Sequence, residues 1–470
     1  MPDLLDFDGA SLVAAYRRRT VSPREAVAAA LDAAERMNGA VNAFCLLDRE
    51  GASAAAAASE RRWTDGRPKG PLDGLPVTVK DNVVWAGHPT RRGSLTTDPA
   101  PATESAPAVD RLLKAGAIPI GKTTLPEFGW KGLGDSPLNG PVRNPWDTAL
   151  TTGGSSAGAA AAAALNLGIL HIGTDGAGSI RIPASFCGVY GLKPSYGRVP
   201  AFPPTPFAIV SHLGPLTRTV TDAALMLSVI AQPDPRDITA LHAGGPDPRI
   251  GLNDGVRGLR IAWSPRLGYA QGLDPEVEAL TAAAAGAFAE LGAVVEEADP
   301  GFPDPIAMLE TLWRVGAWSV VRAIPEACRS ELDPGLLALA EAGRGIGGAD
   351  FIEAASARNA LFSATARFHE RYDLLLTPSV ATPAFAVNHD TPPDGRFGPN
   401  WLAWTPYSYP FNLTLQPAAS LPCGLTAAGL PVGLQVVGPA LRDDLVLRAS
   451  RAFESVRPWA RLSEVRAGDG

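Results

Sequence analysis

Along this chain, segments in which apolar residues alternate with polar ones, as in strands, are followed by segments in which apolar residues recur at helical spacing. In residues 75–80, two valines alternate with a threonine and a lysine, which is the period of a strand. In segments such as 275–292, apolar residues instead recur at helical spacing. Because strand-like and helix-like segments alternate for most of the chain, the pattern predicts one large α/β sheet.

Capping and turn residues mark where several of these elements begin and end. Residues 22–25, Ser-Pro-Arg-Glu, combine a serine N-cap, a proline at the first helical position and a glutamate at the third, so a helix should start there. Turn residues at 429–431 separate two apolar runs within 421–438. Residues 301–370 are expected to be mainly helical, and the proline- and aromatic-rich residues 381–411 to form a covering loop.

The composition is that of a large globular protein, and the charge argues against several kinds of partner. The chain has 470 residues, 46% of them hydrophobic and 19% charged, which is enough for a large core. The net charge of −7 argues against nucleic acid or an anionic membrane as a partner. The longest nearly apolar run, 157–170, is too short to span a bilayer, and the acidic N-terminus lacks an apolar signal core. We therefore expect a cytoplasmic protein.

The four cysteines lie far apart and include no C-x-x-C pair. This spacing is typical of buried reduced thiols rather than of a disulfide framework or a zinc site. Neither a metal nor a cofactor is expected.

Two glycine-rich turns, about thirty residues from end to end, each present a serine. Residues 151–158 read Thr-Thr-Gly-Gly-Ser-Ser-Ala-Gly, and residues 173–181 read Gly-Thr-Asp-Gly-Ala-Gly-Ser-Ile-Arg. Glycine lets a backbone lie close against another group, so a serine in such a turn can face a substrate beside free N–H groups. Acyl transfer needs this combination of a nucleophile and donors for an oxyanion.

One alternative places the nucleophile at Ser156, because Gly154-Ser155-Ser156-Ala157-Gly158 satisfies the G-x-S-x-G elbow pattern. An elbow needs a strand before the serine, and residues 142–150 contain Asn-Pro-Trp-Asp instead. No histidine-glycine-glycine motif lies upstream, so the elbow is disfavoured. A phosphate-binding loop is disfavoured too, because no lysine follows the glycines.

Lys80 lies at the end of its apolar strand, just before the turn residues Asp81 and Asn82. Active-site residues of α/β proteins gather at such strand ends. A lysine there can also be a solvated edge residue that discourages strand pairing. The local pattern leaves both interpretations open.

Taken together, the two serine turns and the lysine resemble the amidase signature family. The spacings agree with that family, at 75 residues between Lys80 and Ser155 and 24 between Ser155 and Ser179. Similarity extends over nearly the whole chain, including residues 187–194, 416–418 and 429–435. The resemblance implies one α/β/α sandwich around a mixed, mainly parallel twisted sheet. It also implies a single domain over 1–470, with N-terminal helices in 1–62, the catalytic core in 63–240, and the remaining sheet, helices and substrate-covering region in 241–470.

The resemblance also implies roles for individual residues. Ser179 would be the nucleophile, Ser155 would bridge it to Lys80 after a cis peptide bond, and Lys80 would be a neutral general base. Burial at a strand end favours a neutral lysine. The oxyanion hole would be formed by four backbone N–H groups, those of Gly176, Ala177, Gly178 and Ser179.

The second turn departs from the family pattern at Gly176-Ala177, where threonine-glycine is usual. The Ala177 methyl would be strained if that position required a positive φ, which puts the fit of the substrate in doubt. Asp175 and Arg181 flank Ser179 with opposite charges, and a structural ion pair is expected rather than substrate contact. Cys187 is expected to be packed in the core.

The implied activity is hydrolysis of amide C–N bonds in small molecules, with apolar or aryl amides preferred and carbamates (as in a urethanase) or esters also accepted. The alternative is the glutaminase subunit of a tRNA-dependent amidotransferase, which needs partner subunits; a stand-alone enzyme could instead form a homodimer. Aromatic residues within 301–410 favour the first activity if they line the site, although they could equally pack the core. They are Trp313, Trp318, Trp401, Trp404, Tyr407 and Tyr409.

Overall fold

The computed structural model describes residues 3–242, 245–462 and 464. Its α-helices are α1 (Gly9–Arg18), α2 (Pro23–Val41), α3 (Arg49–Thr64), α4 (Pro107–Lys114), α5 (Ala157–Ala164), α6 (Arg181–Cys187), α7 (Val220–Ile230), α8 (Pro275–Glu290), α9 (Ile306–Val321), α10 (Pro334–Arg344), α11 (Gly348–Phe368), α12 (Pro410–Leu413) and α13 (Asp443–Val456). Short 3-10 helices cover Leu4–Asp6, Glu127–Gly129, Ala208–Val210, Glu326–Glu331 and Trp401–Trp404. None of the helices in the described ranges is both long and apolar enough to cross a membrane.

The strands are β1 (Phe44–Leu47), β2 (Pro76–Lys80), β3 (Ile118–Thr123), β4 (Asp135–Ser136), β5 (Gly140–Pro141), β6 (Leu170–Asp175), β7 (Tyr190–Lys193), β8 (His212–Thr217), β9 (Arg260–Trp263), β10 (Val294–Glu297), β11 (Leu374–Pro378), β12 (Ala418–Leu425) and β13 (Pro431–Val437). Eleven of these described strands form one sheet in the order β1-β3-β2-β6-β8-β7-β12-β13-β11-β9-β10, and β4 pairs with β5.

The α/β class and the mixed sheet are confirmed. Parallel pairs lie in two blocks, β3-β2-β6 and β11-β9-β10. The six other neighbouring pairs in the sheet of the described residues are antiparallel, so parallel pairing is concentrated toward the two ends of the sheet. The antiparallel pair β12-β13 contains the turn expected at 429–431.

Helices cover both faces of the sheet. On one face, Val77 and Val79 of β2 pack with apolar residues of α4, α7 and α13. On the other face, Ile118 and Ile120 of β3 pack with α2, α3 and α5. Successive strand residues point to opposite faces, so Lys80 points away from the face of Val77 and Val79 and toward the turn that precedes α5.

Local capping signals were reliable guides to where helices begin. Helix α2 starts at Pro23, and the Ser22 hydroxyl accepts a hydrogen bond from Glu25 N at 3.2 Å. The Glu25 carboxylate in turn accepts one from Ser22 N at 2.8 Å, which completes the predicted capping box.

A helical region covers the sheet edge at which β2 and β6 end. Helices α9, α10 and α11 occupy most of residues 301–370, as expected. An apolar cluster from this region includes Trp313 and also contains Trp130, Ala177 and Phe207. This cluster brings the covering helices into contact with the second serine turn.

Candidate functional site

The end of strand β2 buries a lysine among hydroxyl groups. The Lys80 side chain is fully buried, and its Nζ donates to Ser155 Oγ at 2.8 Å, Ser156 Oγ at 3.0 Å and Thr174 Oγ1 at 2.8 Å. No carboxylate of the described residues lies within ion-pair distance of this Nζ. The interpretation of Lys80 as a solvated edge residue is therefore wrong.

These surroundings favour the neutral amine. Burial lowers the pKa of Lys80 well below its ordinary value, and the negative charge of Asp175 opposes this effect only in part. Hydroxyl groups can hydrogen-bond an amine without requiring it to be charged. The geometry therefore suits a lysine that accepts a proton.

The first serine turn holds Ser155 beside this amine. The peptide bond between Gly154 and Ser155 is cis, as the resemblance implied. A side chain at Gly154 would collide with the Leu133 backbone, so the turn needs glycine there. Ser155 is almost completely buried but lines a cavity.

Ser156 has a different environment from its neighbour. It is fully buried, its hydroxyl donates to Thr174 O at 3.0 Å, and the same oxygen accepts from Thr174 N at 3.2 Å. No strand among the described elements precedes it directly, although α5 follows it. Ser156 thus ties the first turn to β6, and the elbow alternative lacks both the strand and the exposed serine that it requires.

Ser179 faces the same cavity as Ser155. This cavity of about 70 Å³ is lined by both serines together with Thr174 and Gly176. Within the described residues, the Ser179 hydroxyl has no hydrogen-bond partner. The Ser179 carbonyl accepts from Ser156 N at 3.0 Å, which fixes one serine turn against the other.

The backbone N–H groups of the second turn are not equivalent. Gly178 N donates to the Asp175 carboxylate at 2.7 Å, so this one of the four predicted oxyanion-hole donors is already engaged within the protein. The N–H groups of Gly176, Ala177 and Ser179 have no hydrogen-bond partner among the described residues. Three of the four predicted donors thus remain available.

The unusual alanine in this turn is accommodated without backbone strain. Ala177 is not among the described residues with positive φ, and its carbonyl accepts from Ser408 Oγ at 2.7 Å. The position that does require glycine is Gly178, which has φ of +124° and where a Cβ would collide with Ser408.

Asp175 and Arg181 form the structural ion pair that the sequence predicted. Both side chains are fully buried, and Arg181 Nε and Nη2 each lie 3.0 Å from a different oxygen of Asp175. Burial raises the pKa of this carboxyl, but the charge and hydrogen bonds of Arg181 outweigh it and hold the pKa below its usual range. Arg181 also donates to Gln435 and Asn412, so the pair anchors the serine turn to distant strands and loops. Cys187 is fully buried, as predicted.

Sequence reasoning did not identify Thr174 or Asn82 as site residues. The Thr174 hydroxyl accepts from Lys80, and it also accepts from Asn82 Nδ2 at 3.0 Å. Both residues lie at the ends of β2 and β6, which pair in parallel. Knowing that pairing would have placed them beside Lys80, because parallel strands end at the same sheet edge.

The expectation about aromatic residues holds only in part. Of the six aromatic residues named from 301–410, Trp313 lines the cavity with Ser179, and the other five do not. Phe128, Phe202 and Phe207 also line this cavity, and the Phe207 and Trp313 rings lie 4.3 Å apart. No group of metal-ligating side chains occurs in the part of the chain that the structure describes.

Comparisons with known proteins find similarity over nearly the whole chain. A family model described as Amidase matches residues 25–447. An acylamidase of Rhodococcus erythropolis is 38% identical over 462 residues, covering 96% of this chain and 95% of that protein. One component of the glutamyl-tRNA(Gln) amidotransferase of Geobacter metallireducens is 34% identical over 474 residues, covering 94% of this chain and 96% of that protein. A bacterial aryl acylamidase of known structure superposes with a TM-score of 0.91 at 31% identity, over 98% of each chain.

The fold and these similarities define an enzyme that hydrolyses amides. More closely, the chain belongs to the amidase signature family. The matched residues run from α2 to α13 and include Lys80 and both serine turns.

Proposed function

We propose that the protein hydrolyses the C–N bond of apolar or aryl carboxylic amides through an acyl-enzyme on Ser179. The observation that carries this proposal is the contact between the buried Lys80 amine and Ser155, which shares a cavity with Ser179. A buried amine without a carboxylate partner can act as a base, and an unbonded hydroxyl facing a cavity can act as a nucleophile.

In the first half of the reaction, Ser179 Oγ attacks the carbonyl carbon of the amide. Its proton passes to Ser155, whose own proton passes to the Lys80 amine. The oxyanion is stabilised by N–H groups among those of Gly176, Ala177 and Ser179. When the C–N bond breaks, the leaving nitrogen takes a proton back from Ser155, which Lys80 replenishes.

In the second half, water attacks the carbonyl carbon of the ester formed on Ser179. The same relay through Ser155 takes the proton of the water to Lys80 and returns one to Ser179 Oγ. The carboxylic acid leaves, and each group recovers its starting state. No further reactant is required.

The cavity wall supports the proposed substrate class. Phe128, Phe207, Trp313, Val83 and Leu213 line it beside the serines, and they suit an apolar or aromatic group next to the scissile bond. Carbamates and activated esters carry the same sp² carbonyl and should also react. The similarity to an acylamidase and to an aryl acylamidase supports the same class.

Identity of 34% to a component of an amidotransferase keeps one alternative, a glutaminase that acts with partner proteins. The two functions differ in substrate and in the need for partners. The purified chain alone should hydrolyse an apolar 4-nitroanilide and should show little activity on glutamine. A strict preference for glutamine would overturn the proposal.

Replacing Ser179 and Ser156 in turn tests the roles assigned to these two serines. Ser179→Ala should abolish hydrolysis of the nitroanilide with the fold intact, because it removes the nucleophile. Ser156→Ala should retain substantial activity, because Ser156 is buried away from the cavity. Circular dichroism and unfolding curves would verify the fold of both variants. The reverse pattern of activities would support the elbow alternative instead.

A further inference from the structure

A second, larger cavity adjoins the one that contains Ser179. It has a volume of about 370 Å³, and its lining includes Asn82, Phe128, Pro203, Thr205 and Phe207, all of which also line the inner cavity. The two spaces therefore share a wall of common residues.

Of the described residues that line these two cavities, Arg92 is the one charged residue. Its backbone is fixed, since Arg92 N donates to Asp81 O at 3.3 Å and Arg92 O accepts from Phe128 N at 2.7 Å. Its guanidinium, however, makes no hydrogen bond or ion pair with any residue that the structure describes. Five N–H donors are thus left without protein acceptors in a half-buried position.

The surrounding charges do not satisfy this guanidinium. Asp81 is the acidic group that acts on it, and that carboxylate is bound to Lys122 Nζ at 2.8 Å. Burial lowers the pKa of Arg92, partly opposed by Asp81, but an arginine remains a cation at neutral pH. The adjacent Arg91 differs, because its guanidinium donates to Thr97 Oγ1 at 3.1 Å.

We propose that Arg92 binds a carboxylate at the end of the substrate remote from the scissile bond. The preferred substrates are then amides with an apolar or aryl body in the inner cavity and an anionic end in the outer one. This inference rests on the function proposed above, because it assumes that the reacting carbonyl lies at Ser179. A guanidinium is suited to this role, since its planar fork matches a carboxylate.

Two matched series of substrates test this assignment. In one, the acyl chain of a 4-nitroanilide ends in a carboxylate or in a methyl group, over several chain lengths. In the other, the leaving arylamine of an acetanilide carries a 4-carboxylate or a 4-ethyl group. In at least one series, kcat/KM should be about tenfold or more higher for the carboxylate, which is typical of one charged hydrogen bond.

Arg92→Gln should remove this preference and leave turnover of the neutral substrates within about twofold of wild type. Arg91→Gln is the matched control, and it should retain the preference because Arg91 does not line the cavity. Arg92→Lys should retain part of it, since the charge remains without the fork. Absence of the preference in both series, or its persistence in Arg92→Gln, would overturn the inference.

A binding measurement separates this inference from the proposed function. In the Ser179→Ala background, calorimetry with the preferred carboxylate-ended amide should give an affinity that falls about tenfold when Arg92→Gln is added. Neutral anilides that are cleaved in a Ser179-dependent way would uphold the function even if Arg92 had no effect. Unchanged affinity would remove Arg92 from substrate recognition whatever the fate of the catalytic assignment.

Discussion

Two buried lysines on neighbouring parallel strands have opposite surroundings. Lys80 ends β2, and Lys122 lies near the end of β3. Both side chains are fully buried. Lys122 Nζ lies 2.8 Å from an oxygen of Asp81 and also donates to Pro89 O and Thr90 Oγ1. Lys80 Nζ instead donates to three hydroxyls, and no carboxylate in the described part of the chain pairs with it.

This difference shows that burial alone does not turn a lysine into a base. Burial lowers the pKa of both amines, but for Lys122 the charge and hydrogen bond of Asp81 oppose it directly. For Lys80 the opposing charge is the more distant Asp175, which is already paired with Arg181, and the pKa falls well below the ordinary value. The neutral partners of Lys80 are therefore as important as its burial.

The largest effect should come from replacing Lys80 with methionine, and the same replacement at Lys122 provides the comparison. Lys80→Met should reduce amide turnover about 10⁴-fold, because it removes a general base that also activates the nucleophile. Lys122→Met should reduce turnover per folded molecule far less, because Lys122 is paired with Asp81. Steady-state kinetics on a 4-nitroanilide, normalised to the folded fraction, would compare them. Similar losses in both variants would contradict the distinction.

A matched activated ester sharpens this prediction. Its leaving group departs without a proton, so Lys80→Met should lose less activity on the ester than on the amide. Equal losses on both substrates would mean that Lys80 does not supply the leaving-group proton.

Much of this arrangement was predictable from local sequence, and the rest depends on contacts between distant segments. The helix start at Ser22 and the strand ending at Lys80 follow from patterns within a few residues. The orientation of Lys80 toward Thr174 instead depends on the pairing of β2 with β6, about ninety residues away along the chain. The engagement of Gly178 N by Asp175 depends on the fold of a turn that the sequence does not specify by type.

The aromatic residues illustrate the same limit. Residues 301–370 were correctly predicted to be helical, but periodicity does not say which side chains reach the cavity. Trp313 does, and Trp401 packs beside it without lining the cavity, with ring centroids 6.4 Å apart. Phe128 and Phe207 were not identified from the sequence because they lie in a short 3-10 helix and in a turn, which only the folded chain brings to Ser179.

The next largest effect concerns the stability of the Lys122 pair. Asp81→Asn should lower the free energy of unfolding by about 3–5 kcal/mol, because it leaves a buried ammonium without its counter-charge. Urea unfolding curves would measure the loss. The double variant Asp81→Asn/Lys122→Met removes both charges and should recover part of it. If the loss of stability in the double variant equalled the sum of the losses in the two single variants, the two side chains would not be energetically coupled.

A carboxylate placed beside Lys80 should make it resemble Lys122. In wild type, amide turnover should rise from acid to mildly alkaline pH along one limb as Lys80 loses its proton. Thr174→Asp puts a carboxylate where a hydroxyl now accepts from Lys80 Nζ, and it should move this limb at least about one unit toward alkaline pH. Thr174→Asn is the matched neutral control, and its limb should stay near that of wild type. If the ascending limb of the pH–rate profile lay at the same pH in both variants, Lys80 would not control that profile.

The smallest effect is a dependence of stability on pH that Lys80 alone contributes. In the unfolded chain a lysine has a pKa near 10.4, whereas burial holds the pKa of folded Lys80 well below its ordinary value. Between these two values the unfolded state carries a proton that the folded state lacks, so unfolding takes up a proton and becomes less favourable as pH rises. The stability of wild type relative to Lys80→Met should therefore increase by up to about 1.4 kcal/mol per pH unit in this window and level off above the unfolded pKa. Denaturant unfolding of both proteins over the same pH series measures the difference, in which the other titrating groups largely cancel.

The same comparison of wild type with Lys122→Met should show a rise in relative stability over a narrower range of pH, because the pKa of folded Lys122 is lowered less. A flat or falling difference for Lys80 would mean that its amine keeps its proton in the folded protein, which would remove the physical basis for assigning it as the base.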